Sequence, residues 1–128
     1  MCVRGASALQ GIFDELGERR VRAFVVWEPV LPTDKGPPSA TALGQLHDPR
    51  ADQYWDPERV LSGRVLAAAR RGVPELASFS GDQEAAWDLV AIYPPGARWG
   101  DELPRPVYVG NPVVAVLDSV RARLATGP

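Results

Sequence analysis

A short run of β-branched and aromatic residues near the start of the chain limits its fold more than any other feature. Residues 21–28 read Val-Arg-Ala-Phe-Val-Val-Trp-Glu and are followed directly by Pro29. Positions 24–27 are apolar on both faces, which is typical of a strand buried inside a sheet. Apolar residues recur at helical spacing on either side of the run, at 6–16 and at 57–71. The pattern therefore indicates an α/β domain in which helices cover a sheet.

Apolar spacing and chain-breaking Pro and Gly residues predict the other elements. A chain of 128 residues is expected to form a single domain over 1–128. The expected order is helix, strand, helix, short edge strand, helix, strand, strand and helix, at 6–16, 21–28, 38–46, 51–55, 57–71, 87–93, 106–110 and 112–125. A helix that returns the chain to a parallel strand, followed by a hairpin and a packing helix, indicates a mixed central sheet with helices on both faces.

Composition and charge exclude several classes of function. The net charge is −2, so no basic surface for nucleic acid is expected. No apolar run approaches the length of a membrane span and no secretion signal is recognisable, which predicts a cytoplasmic protein without membrane contact. Cys2 is the single cysteine and His47 the single histidine, so one chain has neither an internal disulfide nor the ligands of a structural zinc site. No phosphate-binding loop or catalytic triad is found, and no cofactor is expected.

The order of elements, less one strand, resembles the thioredoxin fold. Residues 2–6 open the first helix with Cys-Val-Arg-Gly-Ala, and 22–34 and 48–56 resemble blocks of uncharacterised bacterial thioredoxin-like proteins. The resemblance implies thiol–disulfide chemistry with a redox partner protein. It also implies that the leading strand and the first, attacking redox residue precede Met1, which leaves Cys2 in the position of the resolving cysteine.

Two parts of the thioredoxin pattern have no counterpart in the chain. The C-x-x-C motif is missing, and the region that matches the family's cis-proline, residues 84–87, reads Glu-Ala-Ala-Trp. A start codon assigned too late, for instance because a selenocysteine codon was read as a stop, would account for a fold that begins inside its redox motif. A coding segment for a further strand is then expected upstream of Met1.

Cys2 and Arg4 form the first candidate site. A thiol at a helix N-terminus has its thiolate favoured by the helix dipole and by free backbone N–H groups, and the Arg4 guanidinium adds positive charge. Cys2 is therefore the candidate redox thiol. The alternative is an ordinary thiol at the chain terminus.

Trp27, Glu28 and Pro29 form a second candidate site. They end the central strand at its carboxyl edge, where open α/β sheets carry their sites. Glu28 is a candidate proton acceptor near Cys2, and the three residues would form the wall facing the thiol. The alternative is a carboxylate in solvent that follows a core tryptophan.

Trp99 is a further candidate binding residue. It lies in the long, polar connection 94–105 and is expected to be exposed, whereas Trp55 and Trp87 are expected in the core. Three aspartates at a spacing of four were also considered as ligands for a hard cation: Asp48, Asp52 and Asp56. Their neighbouring prolines make them loop and capping residues instead, so no metal site is expected.

Two functions follow from these observations. The first is a thiol-redox protein of thioredoxin-like fold in which Cys2 is the remaining redox thiol. The second is a non-catalytic binding or dimerisation module of the same fold. Without a leading strand, one edge of the strand at 21–28 is open, and an exposed apolar edge tends to pair with another chain. The second function therefore predicts a homodimer through that edge.

Overall fold

The structure is a computed structural model and describes residues 3–126, which contain four α-helices, four strands and two short 3-10 helices. In chain order these are α1 (Val3–Leu16), β1 (Ala23–Trp27), α2 (Ala40–Leu43), β2 (Ala51–Trp55), α3 (Val60–Arg70), a 3-10 helix (Pro74–Phe79), β3 (Val90–Ile92), β4 (Tyr108–Gly110), a second 3-10 helix (Val113–Ala115) and α4 (Leu117–Ala125). The α/β class expected from the sequence is confirmed.

The strands form two separate sheets of two strands each. β1 and β2 run parallel, with Ala23 beside Ala51 and Trp27 beside Trp55. β3 and β4 pair antiparallel as a hairpin. Within residues 3–126 the expected single mixed sheet is not formed, because no ladder joins β1 to the hairpin. β2 lies at a sheet edge, as the sequence predicted.

The first hydrophobic core lies between α1, α4 and one face of the parallel sheet. The helical stripe predicted for 6–16 supplies Ile12, Phe13 and Leu16, and β1 supplies Trp27. The buried members are Ala6, Ile12, Phe13, Leu16, Trp27, Leu46 and Val120. Val90, Ile92 and Tyr108 of the hairpin pack against the same core. The two sheets therefore share a core without sharing backbone hydrogen bonds.

A second core lies beneath α3. Its buried members are Val65, Leu66, Ala68, Ala69, Leu76, Phe79 and Ala86. Leu89 and Val109, from the neighbourhood of β3 and from β4, pack at its margin. Successive strand residues point to opposite faces, so β4 contributes Tyr108 to the first core and Val109 to the second.

Two helices begin later than the sequence predicted. The helix expected from Pro57 starts at Val60, because Arg59 has φ 55° and a left-handed residue interrupts a right-handed helix. The helix expected from 112 is divided at Val116, whose φ of −116° separates the second 3-10 helix from α4. In the described part of the chain a cis peptide bond joins Asn111 to Pro112, after the hairpin instead of before it.

Candidate functional site

The two parallel strands end in the same three-residue pattern. Trp27-Glu28-Pro29 follows β1 and Trp55-Asp56-Pro57 follows β2. The register places Trp27 beside Trp55, and the backbone N–H of Asp56 donates to the carbonyl of Trp27 at 2.9 Å. This alignment brings the carboxyl groups of Glu28 and Asp56 together at the carboxyl edge of the sheet.

The start of α3 closes over this carboxyl pair. The backbone N–H of Ser62 donates to Glu28 Oε1 at 3.0 Å, and that of Leu61 donates to Asp56 Oδ2 at 2.9 Å. Ser62 is 1% exposed, and its hydroxyl donates to the carbonyl of Ala86 at 3.1 Å while accepting the backbone N–H of the same residue. A continuous polar network therefore joins β1, β2, α3 and the segment before the hairpin.

The two carboxyl groups have opposite protonation preferences. Burial raises the pKa of Glu28, and the neighbouring Asp56 adds to the increase, while the N–H of Ser62 opposes it. Burial also disfavours the charged form of Asp56, but backbone N–H groups of Leu61, Val60 and Glu58 together with Glu28 outweigh it and lower the pKa of Asp56. The surroundings therefore shift Glu28 toward its neutral form and Asp56 toward its charged form.

In this arrangement Glu28 is a buried side chain that connects the end of β1 to α3, and it is not an exposed base. Glu28 is 9% exposed, so the solvent-exposed carboxylate considered from the sequence is wrong. One carboxyl oxygen of Glu28 accepts a hydrogen bond from the backbone N–H of Ser62, and the contact between the Glu28 and Asp56 side chains helps to raise the pKa of Glu28.

Sequence reasoning identified Glu28 but missed its partners. The sequence predicts Asp56 as a helix cap and does not identify Ser62 as a site residue. The repeated tripeptide, tryptophan followed by an acidic residue and proline, was the available signal, because two parallel strands that end alike place their acidic residues side by side. Nothing in the local sequence marks Ser62, because its partners Glu28 and Ala86 lie far from it along the chain.

Trp27 and Pro29 lie beside the carboxyl pair with separate roles. Trp27 is buried, and its indole N–H donates to the side-chain oxygen of Gln53 at 2.9 Å. Gln53 in turn donates to the carbonyls of Leu43 and Leu46 at 2.9 and 2.8 Å. Pro29 is half-buried and begins the loop after β1. The core role considered for Trp27 is thus confirmed.

Arg4 is exposed in the first turn of α1. With Val3, Ser7 and Ala8 of that helix it borders a shallow, open recess completed by Gln45 and Val114. Cys2 lies outside the described residues, so its role and its position relative to Glu28 stay predictions.

Trp99 is 46% exposed in the long connection of the hairpin, as expected. Its ring meets that of Tyr93 edge to face, with centroids 5.4 Å apart. The carbonyl of the next residue, Gly100, accepts a hydrogen bond from the Arg64 side chain. The connection is therefore held against α3, while the prediction of a core position is wrong for Trp87, which is 50% exposed.

The three aspartates considered as metal ligands are separated by their hydrogen bonds. Asp48 pairs with Arg50 at 2.8 Å, Asp52 pairs with Arg22 at 2.5 Å, and Asp56 caps the turn before α3. Among residues 3–126 no group of three or more His, Cys, Asp or Glu side chains is placed to hold a metal ion.

The outer face of the parallel sheet carries an exposed aromatic pair. Phe24 is 61% exposed and Tyr54 51% exposed, and their rings stack with centroids 6.5 Å apart. The guanidinium of Arg22 lies 5.9 Å from the Phe24 ring centroid and also pairs with Asp52. Parallel sheets are normally covered on both faces. The exposed rings of Phe24 and Tyr54 show that this face of the β1–β2 sheet is not fully covered, which differs from the expectation of helices on both faces.

Comparisons with known families, with curated proteins and with solved structures find no match to this chain. Among the helices of residues 3–126, none has the length and apolar character that crossing a membrane requires.

Proposed function

We propose that this chain is a non-catalytic binding module of thioredoxin-like arrangement that completes its sheet by pairing the free edge of β1 with a second copy. The observation that carries the proposal is that β1 is paired on one edge alone within residues 3–126, by β2. β1 supplies a central core residue, Trp27. A core strand with an open edge is a template for strand addition.

The direction of the backbone groups identifies the residues that would pair. The N–H of Ala23 donates to Arg50 at 3.0 Å and the carbonyl of Trp27 accepts from Asp56, so odd-numbered residues of β1 face β2. Neighbouring strand residues direct their N–H and C=O groups to opposite edges. The backbone groups of Phe24 and Val26 therefore face the free edge.

The exposed aromatic side chains lie on a face of the sheet that a strand paired with β1 would extend. Phe24 and Tyr54 expose about half of their surface or more, and exposed apolar groups of this kind mark association sites. A strand added beside β1 extends the face that carries the Phe24 and Tyr54 rings. Part of the exposed Phe24 ring would then be covered by the side chains of the added strand.

The test combines molecular mass with amide hydrogen exchange over a range of protein concentrations. Light scattering at micromolar concentration is expected to give twice the chain mass of 13.8 kDa. The amides of Phe24 and Val26 are expected to become protected as dimer forms. The amide of Ala23, bonded within the chain to Arg50, is the internal control and should stay protected at every concentration.

A monomer at micromolar concentration, with Phe24 and Val26 amides exchanging rapidly, would overturn the proposed homodimer. Cys2→Ser should associate as strongly as the unaltered chain, because the binding function needs no thiol. Loss of association in that variant would contradict a non-catalytic module.

A thiol-redox function is the second candidate, and one observation favours it. α1 is a helix of 14 residues whose first turn contains Arg4 and no acidic residue, and Cys2 precedes it directly in the sequence. Helix N-termini and cationic neighbours favour the thiolate. If Cys2 is a redox thiol, its alkylation rate will titrate well below the value of about 8.5 for free cysteine. Arg4→Gln should shift that midpoint upward, and an ordinary midpoint in both proteins would argue against redox chemistry.

A further inference from the structure

We propose that the contact of Glu28 and Asp56 with the start of α3 is a pH-sensitive latch, which is closed in weak acid and opens locally when the pH moves to either side. The latch consists of four residues: Glu28, Asp56, Leu61 and Ser62. Ionisation of Glu28 opens it on the alkaline side, and protonation of Asp56 opens it on the acid side. The latch lies inside one chain, so it does not depend on the proposed dimer.

The latch joins elements that belong to different hydrophobic cores. α3 packs mainly on the 3-10 helix at Pro74–Phe79 and contributes to the second core, whereas β1 supplies Trp27 to the first. The bond of 3.0 Å from the backbone N–H of Ser62 to Glu28 Oε1 links these two elements, and the Ser62 hydroxyl continues the link to Ala86. A link made of a few polar contacts can open while both cores stay packed.

The position of the two carboxyl groups makes the latch sensitive to charge. The parallel register places Trp27 beside Trp55, so the residues that follow them, Glu28 and Asp56, lie together. Glu28 is 9% exposed, and within residues 3–126 no ion pair joins either carboxyl group to a cation. Burial and a like charge both disfavour ionisation of a carboxyl group. The closed geometry therefore disfavours the state in which both groups are charged.

Other charged residues lie on the elements around the latch, in the loop after β1, in the turn before α3 and in the segment before the hairpin. They are Asp34, Glu58, Arg59, Glu84 and Asp88. The two aspartates accept backbone N–H groups, of Leu31 at 2.9 Å and of Val113 at 3.2 Å. The two glutamates are exposed, and the arginine forms no ion pair among the described residues. Of the charged side chains, that of Asp56 has the largest effect on the pKa of Glu28.

The two carboxyl groups give the latch opposite dependences on pH. Burial and the neighbouring Asp56 raise the pKa of Glu28 above 4.5, so its contribution to the closed latch is complete below 4.5 and is lost as pH rises through the raised pKa. Burial opposes the charge of Asp56, but backbone N–H groups lower its pKa below 3.8. Its contribution is therefore complete above 3.8 and is lost as pH falls. The closed latch is most favoured between these two losses.

Amide hydrogen exchange of the full chain from about pH 3 to about pH 8 tests the latch, with each rate corrected for the intrinsic pH dependence of exchange. The reporters are the amides of Leu61, Ser62 and Ala86, which donate to the latch carboxyl groups or to the Ser62 hydroxyl. Their protection is expected to be highest in weak acid and to fall on both sides. The amide of Ile12, inside α1 and the first core, reports global unfolding and should change less.

Two variants of nearly unchanged shape assign the two sides of this profile. Glu28→Gln keeps an acceptor for Ser62 and cannot ionise, so the loss of protection in alkali should disappear while the loss in acid remains. Asp56→Asn keeps an acceptor for Leu61 and removes the neighbouring charge. In that variant the loss in acid should disappear and the loss in alkali should weaken. Glu84→Gln, at an exposed carboxyl group, is the matched control and should reproduce the parent profile.

Three results would overturn the latch. Protection of the reporter amides could stay level across the pH range in the parent chain. Protection of Ile12 could fall as far as that of Ser62, and the pH effect would then be global unfolding. The loss in alkali could persist unchanged in Glu28→Gln, and Glu28 would then not be the group that opens the contact. The parent profile requires no substitution, and circular dichroism confirms that each variant is folded before its profile is compared.

Discussion

At the scale of single residues, Glu28 links the end of β1 to α3 through the hydrogen bond that its carboxyl group accepts from Ser62. Its carboxyl group is buried between Ser62 and Asp56, and two ionised carboxylates at such a site would repel each other. Folding therefore shifts Glu28 toward its neutral form relative to the unfolded chain. A group whose pKa is higher in the folded chain contributes stability that is present below its unfolded pKa and is lost as pH rises through its folded pKa.

Glu28→Gln is predicted to remove this loss of stability with rising pH. The amide oxygen can accept from Ser62 and the amide nitrogen can donate to Asp56, and neither ionises. In urea unfolding, the stability of the variant relative to the parent should therefore be lowest below the ordinary glutamate pKa of 4.5 and should increase as pH rises above it. Glu84→Gln, at an exposed carboxyl, is the matched control and should follow the parent curve. Parallel curves for Glu28→Gln and the parent would contradict a raised pKa for Glu28.

At the scale of elements, the sequence predicted best where the pattern was long or locally determined. The α1 stripe and the strand before Pro29 were located within a few residues, because helical spacing and proline act within the element itself. The hairpin strands are shorter than expected, at three residues each. Their apolar flanks pack in the two cores without joining a ladder, and the sequence pattern does not distinguish these two outcomes.

The parts of the candidate site that escaped prediction depend on contacts between elements. Asp56 was recognised as a cap, and its Leu61 contact agrees with a capping role. Its proximity to Glu28 arises from the parallel register, and the burial of Ser62 arises from its contacts with Glu28 and Ala86. Arg59 has a left-handed conformation, with φ 55°, and α3 therefore begins after it. The sequence does not predict this start, because no sequence rule places a left-handed arginine there. The separation of the two sheets likewise follows from tertiary packing.

At the scale of the whole molecule, polar side chains add connections between elements to those that apolar packing makes. The network of Glu28, Asp56 and Ser62 connects the parallel sheet to the second core. Arg50 connects β2 to the end of α1, donating to the carbonyls of Phe13 and Gly17 at 2.9 and 2.8 Å. The same guanidinium pairs with Asp48 and holds the pKa of that carboxyl down at about 2. The molecule is thus connected by a few long-range hydrogen bonds as well as by its cores.

Gln53 gives the sharpest test of such a connection, because one side chain serves three elements. It accepts from Trp27 of β1 and donates to the carbonyls of Leu43 and Leu46, which end α2 and the turn after it. Gln53→Leu leaves these groups without their partner, which is expected to cost about 2 kcal/mol of unfolding free energy and to lower the melting temperature by roughly 7 °C. Gln45→Leu makes the same change where the amide has one exposed hydrogen bond of 3.4 Å, and should stay within about 0.5 kcal/mol of the parent. Equal losses in the two variants would mean that replacing glutamine by leucine is costly in itself, whereas a loss confined to Gln53→Leu would assign the stability to the three contacts that hold α2 against the sheet.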